Sequence, residues 1–192
     1  MKKFKFSFVL ILPFLFLFSV ACQNESSLVS PDKISVSNEE PNWISLPEQS
    51  NGSLMKVHKV TKKITVKKGG KISLMKKFNG GPHKSFEIKA EIKFRPNVVT
   101  KDTEFTMALD DKTGMLTISP AMTFNGFAAL SVSLKGIDLE SVDEDEIDFI
   151  YCDSNGQFIE VEYKKLFVNV EDGILSVLKV EAPHLTRFGY SR

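Results

Sequence analysis

The sequence predicts an all-β fold, an antiparallel β-sandwich of about ten short strands preceded by a signal peptide and a flexible linker. Three observations predict it. Phe86-Glu87-Ile88-Lys89-Ala90-Glu91-Ile92-Lys93-Phe94 alternates apolar and polar side chains without a fault, the pattern of a strand with one face buried and one in water. Shorter apolar runs lie on either side of it, separated by glycine- and asparagine-bearing turns that tolerate positive φ. No stretch carries the period of a long amphipathic helix; Leu139 to Ile147 comes closest to a single helical turn.

At the start of the chain, Lys2, Lys3 and Lys5 precede a mostly apolar run from Phe6 to Ala21. A basic n-region, an apolar h-region and a small residue at the boundary are the parts of a secretory signal. The run is short for a spanning helix, which takes about 20 apolar residues. Cys22 directly follows Ala21, so residues 1–21 resemble a bacterial lipoprotein signal, in which that cysteine is acylated on sulfur and then on its amino group. Val20 and Ala21 fit that pattern; Ser19 departs from it, standing where leucine is usual. Such a cysteine carries more than one acyl chain, and each buried methylene contributes about 0.8 kcal/mol, so attachment would be stable. Gln23 rather than Asp after the cysteine points to the outer membrane by the sorting rule for such lipoproteins.

Residues 22–54 read as the lipidated cysteine and a flexible linker, rich in Ser, Asn, Glu, Pro and Gln and too poor in apolar groups to offset the entropy of ordering. Trp43, Ile44 and Leu46, flanked by Pro41 and Pro47, interrupt it; they either dock on the domain, meet a partner, or are a stray apolar trio. Asn51-Gly52-Ser53 has the form of a glycosylation acceptor but reads as a turn.

Residues 55–192 read as one domain. The expected strands are Lys63–Val66, Lys71–Met75, Phe86–Phe94, Glu104–Leu109, Met115–Ser119, Ala128–Leu134, Glu146–Cys152, Phe158–Tyr163, Leu166–Val170, Ile174–Val180 and Leu185–Tyr190. Turns are expected at Gly69-Gly70, Asn79 to Pro82, Asp111 to Gly114, Asn125-Gly126, Asn155-Gly156 and Asp172-Gly173. Cys152 is the one cysteine besides Cys22, so acylation of Cys22 would leave it without an intramolecular partner, and it reads as a small packing residue.

Removing residues 1–21 takes three lysines from 25 basic residues, leaving 22 against 24 acidic ones, a net charge of −2. No global nucleic-acid footprint remains. The charges are nevertheless divided along the chain. Lys56 to Arg95 holds thirteen Lys or Arg against Glu87 and Glu91, while Asp138 to Asp172 holds twelve acids against Lys164 and Lys165. If the two halves fold onto different faces, the basic one can meet anionic lipid or polysaccharide. If basic strands pair beside acidic ones, the charges are spent on cross-strand pairs contributing roughly 0.2–1 kcal/mol each.

Several motifs follow one another in a recognisable order. Gly69-Gly70 precedes a strand; Phe94-Arg95-Pro96-Asn97-Val98-Val99-Thr100-Lys101-Asp102-Thr103 feeds another; Ser119-Pro120, Phe124, Ile137 to Leu139, Tyr151-x-Asp153-x-x-Gly156 and His184-Leu185-Thr186-Arg187-Phe188 follow. From Lys56 to Tyr190 the chain resembles the ZU-five type domain shared by zona-occludens proteins, netrin receptors and ankyrins. Pro96-Asn97-Val98-Val99 departs from the usual Pro-x-Gly-Ala. The resemblance implies a β-sandwich used for binding or architecture, with no known small-molecule chemistry in the bacterial versions.

His184-Leu185-Thr186 is the sharpest candidate for chemistry. In some sandwich domains of this and related types, a His-hydrophobic-Ser/Thr triplet at a tight bend cuts itself. The imidazole takes the hydroxyl proton, and the oxygen attacks the preceding carbonyl to give an ester that water opens. That step also needs a strained peptide bond and an oxyanion donor. Asp153-Ser154-Asn155-Gly156 and the nearby Asp143 to Glu146 offer oxygens, yet Glu160 and Glu162 do not complete the spacing of a calcium loop. His58, His83 and His184 lie far apart with no Cys or carboxylate at metal spacing. Gly69-Gly70-Lys71 lies between strands, where a phosphate loop would open a helix.

The expectation is therefore a non-enzymatic, lipid-anchored cell-envelope module without metal or cofactor, attached to the membrane through Cys22, that binds a partner or lends architecture. An envelope protein or an anionic polysaccharide is the expected partner, with no nucleic acid. Self-cleavage at Leu185-Thr186, and a module binding polysaccharide or anionic lipid through its lysine-rich strands, stand as alternatives.

Overall fold

The structure, a computed structural model, describes residues 36–49, 56–153, 155–184 and 186–192. The signal sequence, Cys22, Asn51-Gly52-Ser53, Ser154 and Leu185 lie outside the described residues. The strands are β1 Val36–Ser37, β2 Val57–Ile64, β3 Gly70–Asn79, β4 Ser85–Phe94, β5 Thr103–Asp110, β6 Leu116–Ser119, β7 Thr123–Lys135, β8 Asp148–Cys152, β9 Phe158–Glu160, β10 Lys165–Asn169, β11 Ile174–His184 and β12 Arg187–Ser191. They form two antiparallel sheets, ordered β1-β9-β8-β12-β6-β5-β2 and β10-β11-β7-β4-β3. One apolar cluster draws residues from both sheets, as in a β-sandwich, where two inner faces interdigitate.

The alternation along β4 sets the register of the smaller sheet. Phe86, Ile88, Ala90, Ile92 and Phe94 are at most 2% exposed, Lys89 and Lys93 are exposed, and Glu91 is half-exposed. Because side chains alternate, a slip of one residue would send five apolar groups into water. β3 pairs with β4 from Gly70↔Phe94 to Asn79↔Ser85, and β7 pairs with its other side. A stacked pair carries the core across to the larger sheet, Phe94 on Phe105 at 5.0 Å between centroids, while Phe78 stacks on Phe86 at 4.9 Å within the smaller sheet.

Tyr190 ties the sheets together. It belongs to β12, in the middle of the larger sheet, yet its hydroxyl donates to the Val132 carbonyl oxygen of β7 (2.8 Å) and accepts from the Val177 N–H of β11 (2.9 Å). The register between β11 and β7 shifts between Val177 and Val180. The shift leaves Val177 N–H free to turn to the phenol.

The chain passes between sheets at both flanks. Residues 65–69 carry it from β2 to β3, which are the terminal strands of their sheets; residues 161–164 carry it from β9 to β10 on the opposite side. Gly69 is required at the first crossing, since it holds φ +65° and a Cβ there would run into the Phe94 carbonyl. Asp102 Oδ1 accepts the Val66 N–H (2.9 Å) and fixes the same turn.

Several sequence expectations need correction. The strand expected at Lys63–Val66 is β2, Val57–Ile64. It is an edge strand whose inward positions include His58 and Lys62, opposite Leu109 and Phe105, so the apolar alternation that marks interior strands is absent. Val66 lies in the crossing turn. β7 runs straight through Asn125-Gly126, where a turn was expected; Gly126 takes φ 97° within the strand. β8 begins at Asp148 rather than Glu146, after a single 3-10 turn at Glu144–Glu146 that falls within Leu139–Ile147, where one helical turn was expected. β9 stops at Glu160 rather than Tyr163, β11 runs on past Val180 to His184, and the last strand is Arg187–Ser191 rather than Leu185–Tyr190.

The packed body also takes in residues 36–49, which the sequence placed in a tether. Ser37 pairs with Phe158, and Trp43 bridges to Ser191. The Trp43 ring stands edge-on to Phe158 (5.8 Å) and lies over Gly189, where a Cβ would meet it at 2.9 Å. Ile44 and Leu46 are buried, contributing about 1.5–3 kcal/mol each. Gln49 then reaches Gly80 and Asp111. Of the three readings for the apolar trio, docking on the domain is the one observed.

This register predicts that Ile88→Ala and Ile92→Ala each cost about 2–5 kcal/mol in urea unfolding, against at most about 0.5 kcal/mol for Lys89→Ala. Equal small losses at all three positions would contradict the buried face of β4.

Candidate functional site

The His184–Thr186 bend carries the chain from the smaller sheet to the larger. His184 pairs with Thr123 on β7, and Arg187 pairs with Thr117 and Cys152. The bend borders a cavity of about 460 Å³ lined by Met122, Thr123, Asp153, Asn155, His184 and Thr186, among others. The His184 ring packs edge-on against Tyr151 at 5.1 Å and 74°. Thr186 Oγ1 is buried without a hydrogen-bond partner, while the Thr186 carbonyl accepts the Ile118 N–H at 2.9 Å. Base and hydroxyl thus meet at one cavity with no hydrogen bond between them. Leu185, whose carbonyl would be attacked, lies outside the described residues.

Asp153 at the same cavity is engaged in its own turn. Its Oδ1 accepts the N–H groups of Asn155 (2.8 Å) and Gln157 (2.9 Å), and Oδ2 accepts Asn155 Nδ2 (3.2 Å). These bonds, the Gln157 N–H first, hold its carboxyl below the usual range, and the nearby His184 adds to the effect. The carboxylate closes the β8–β9 hairpin. Burial, reinforced by the Asp153 charge, pushes the Tyr151 phenol up. No group of three or more His, Cys, Asp or Glu side chains is placed to hold a metal among the described residues.

The structure does not bring the three histidines together. His58 Nε2 lies 3.5 Å from Asp111 Oδ2 and its ring packs against Phe78; exposed His83 sits in the turn between β3 and β4; His184 is at the bend. Buried Cys152 lies 3.3 Å from Arg187 Nη2. Asp111, only 5% exposed, accepts Lys56 N–H (2.9 Å) and Gln49 Nε2 (3.0 Å), holding both ends of residues 50–55. Sequence reasoning missed this clasp, having read Asp111 only as a turn residue. Asp110 beside it instead accepts the Lys112 and Thr113 N–H groups of the local turn, and no local pattern tells which of the two adjacent aspartates turns inward.

The divided charges fold mainly toward opposite flanks, although Asp172, between β10 and β11, borders a cavity with Lys77, His83 and Lys135. The lysine-bearing strands β2 and β3 are the last strands of their sheets on one side. The acidic segment supplies β8, β9, the 3-10 turn and the loops toward the other side, around β1 and β10. There burial, reinforced by Glu160, pushes the Asp148 carboxyl up. Cross-strand pairing takes up part of the basic set, with Lys71 Nζ 3.0 Å from Glu91 Oε2 and Glu87 between Lys77 and Lys135 in register.

No protein-family model, curated protein or solved structure matches the chain.

A buried hydroxyl without a partner is a cost to the fold. Thr186→Val is accordingly expected to leave stability unchanged or raise it by about 1 kcal/mol in urea unfolding, and the wild type to show an uncleaved chain by intact mass. Release of Thr186–Arg192 from denatured wild type, but not from the variant, would show that the bend cleaves itself.

Proposed function

We propose that the protein is a lipid-anchored β-sandwich of the bacterial cell envelope, held at the outer membrane through Cys22, that binds a partner or lends architecture and does not catalyse. One observation carries the binding role: a near-neutral chain concentrates its lysines on one flank of one packed body, apart from most of its acidic segment. Such separation creates local potential that net charge hides. The lipoprotein-like sequence around Cys22 supports the anchor, and the ZU-five-type order of motifs supports a binding or architectural sandwich.

The proposed tether is shorter than the sequence implied. From Cys22 to Val36 the chain spans at most about 50 Å when fully extended. Residues 36–49 then clamp the body, so the body begins well before Met55.

The second reading, self-cleavage at Leu185-Thr186, is favoured by the unpartnered Thr186 hydroxyl beside His184 at the cavity. The missing bond between base and nucleophile places it second.

Cys22→Ala removes the sulfur on which acylation depends. The variant is expected to leave the membrane fraction, and wild type to incorporate palmitate label. Carbonate-resistant membrane association of the variant, together with unlabelled wild type, would overturn the anchor.

A further inference from the structure

We propose that the flank formed by β2, the 65–69 crossing and β3 is a binding site for a linear anionic polysaccharide of the envelope, bearing a carboxylate or phosphate on each repeat. The inference rests on the binding role proposed above and names its site and partner.

Ten lysines lie between Lys56 and Lys84, and no Asp or Glu occurs between Lys56 and Phe86. All ten are exposed. They are arranged around the flank in three directions. Lys59 and Lys63 face outward on β2, and Lys71 and Lys77 face outward on β3. Lys62 and Lys76 take core-side register, opposite Phe105 and Ile88, and so line the seam between the two sheet edges. Among the described residues Lys71 is the only one of the ten in an ion pair.

Lysines on exposed edges also guard against edge-to-edge pairing. That role explains a few of them but not their distribution. The opposite terminal strands, β1 and β10, hold a single lysine, Lys165, although they too end their sheets. Eight lysines from Lys59 to Lys77, with one ion pair among them, repel one another in the free protein. A polyanion along the flank relieves that repulsion.

A polymer suits the geometry better than a membrane surface. The strands run roughly 26–33 Å along the edge at about 3.3 Å per residue, presenting a long row of charge. Lysine is a point charge without the planar fork that selects one bidentate partner, which fits repeating single charges. The described chain begins at β1, on the far edge of the larger sheet, six strand spacings or roughly 29 Å from β2. A body tethered through that end presents the β2–β3 flank away from its own anchor.

The test uses the chain from residue 22 with Cys22→Ala, wild type at every lysine, which has no acyl chain to insert into a bilayer and needs no detergent. The probes are polygalacturonate as the anionic polymer, dextran as the neutral one, anionic phosphatidylglycerol vesicles and duplex DNA. Wild type is expected to bind polygalacturonate and not dextran, weakening steeply with salt. Lys62→Gln, Lys63→Gln, Lys76→Gln and Lys77→Gln together are expected to lower that affinity at least about 30-fold and to flatten the salt slope by about three. The same number of changes at Lys112, Lys164, Lys165 and Lys179 should leave it within about threefold. Thermal melting checks that both variants are folded; if the quadruple flank variant is not, the pairs Lys62→Gln with Lys63→Gln and Lys76→Gln with Lys77→Gln are read separately. Equal affinity of the folded flank variants and wild type, or no binding by wild type, overturns the proposal. Tighter binding to vesicles or DNA at matched charge overturns the polysaccharide and leaves the basic flank as the binding surface. Because Cys22 fractionation is blind to these lysines, failure of the anchor and failure of the ligand are told apart.

Discussion

The phenol of Tyr190 is the contact on which the two sheets depend. Its hydroxyl uses both its donor and its acceptor capacity on backbone groups of the opposite sheet, inside a core from which water is excluded. Burial pushes the phenol well above its usual range, so it stays neutral and keeps the proton it donates. The same strand, β12, receives much of the rest of the structure. β8 and β6 pair on its two sides, Ile44 N–H donates to the Tyr190 carbonyl, and Arg192 N–H donates to Asn42. Phe149 stands edge-on to the Tyr190 ring at 4.9 Å. A strand that joins the core, a neighbouring strand on each side and the N-terminal strap fixes the two sheets relative to each other.

That fixed relation is what turns a charge pattern in sequence into a charge pattern in space. β2 and β3 are consecutive in the chain and terminal in different sheets, so a single run of lysines becomes one flank. On the other side β9, next to the edge strand β1, leads into the edge strand β10 within the acidic segment. Two sheets free to slide would blur this separation. The cross-strand pairing that could have cancelled it is partial: Lys63 stands opposite Glu104 between β2 and β5, Lys71 pairs with Glu91, and Glu87 lies between Lys77 and Lys135. The proposed anchor and the proposed ligand then act at opposite ends of one body.

Much of the fold was legible where one face of a strand is buried and the other is wet. β4 is the clearest instance, because every inward position is apolar and every outward one is polar. β2 was misplaced by its own environment. At this sheet edge Lys62 points inward yet stays exposed, and His58, packed on Phe78 near Asp111, stands where an interior strand would need Leu or Val. Residues 36–49 escaped for a different reason. Trp43, Ile44 and Leu46 stand among polar residues with no period, and only the surface of the folded body supplies the site they fill. Tyr190 and Asp111 were illegible as ties, since their partners lie 13 to 62 residues away. At the bend, residue types suggested a base and a nucleophile, but whether they touch is set by the strands on each side.

Amide exchange at Val177 tests the interlocked core most directly. In wild type this N–H should exchange only through global unfolding, as its acceptor is a buried hydroxyl from the other sheet. Tyr190→Phe removes that acceptor and the donor to Val132, which should cost about 1–3 kcal/mol and accelerate exchange at Val177 more than at the Ile88 and Ile92 amides of β4. A Val177 amide that exchanges at loop rates in wild type, or one whose protection is unchanged in the folded phenylalanine variant, would contradict the tie.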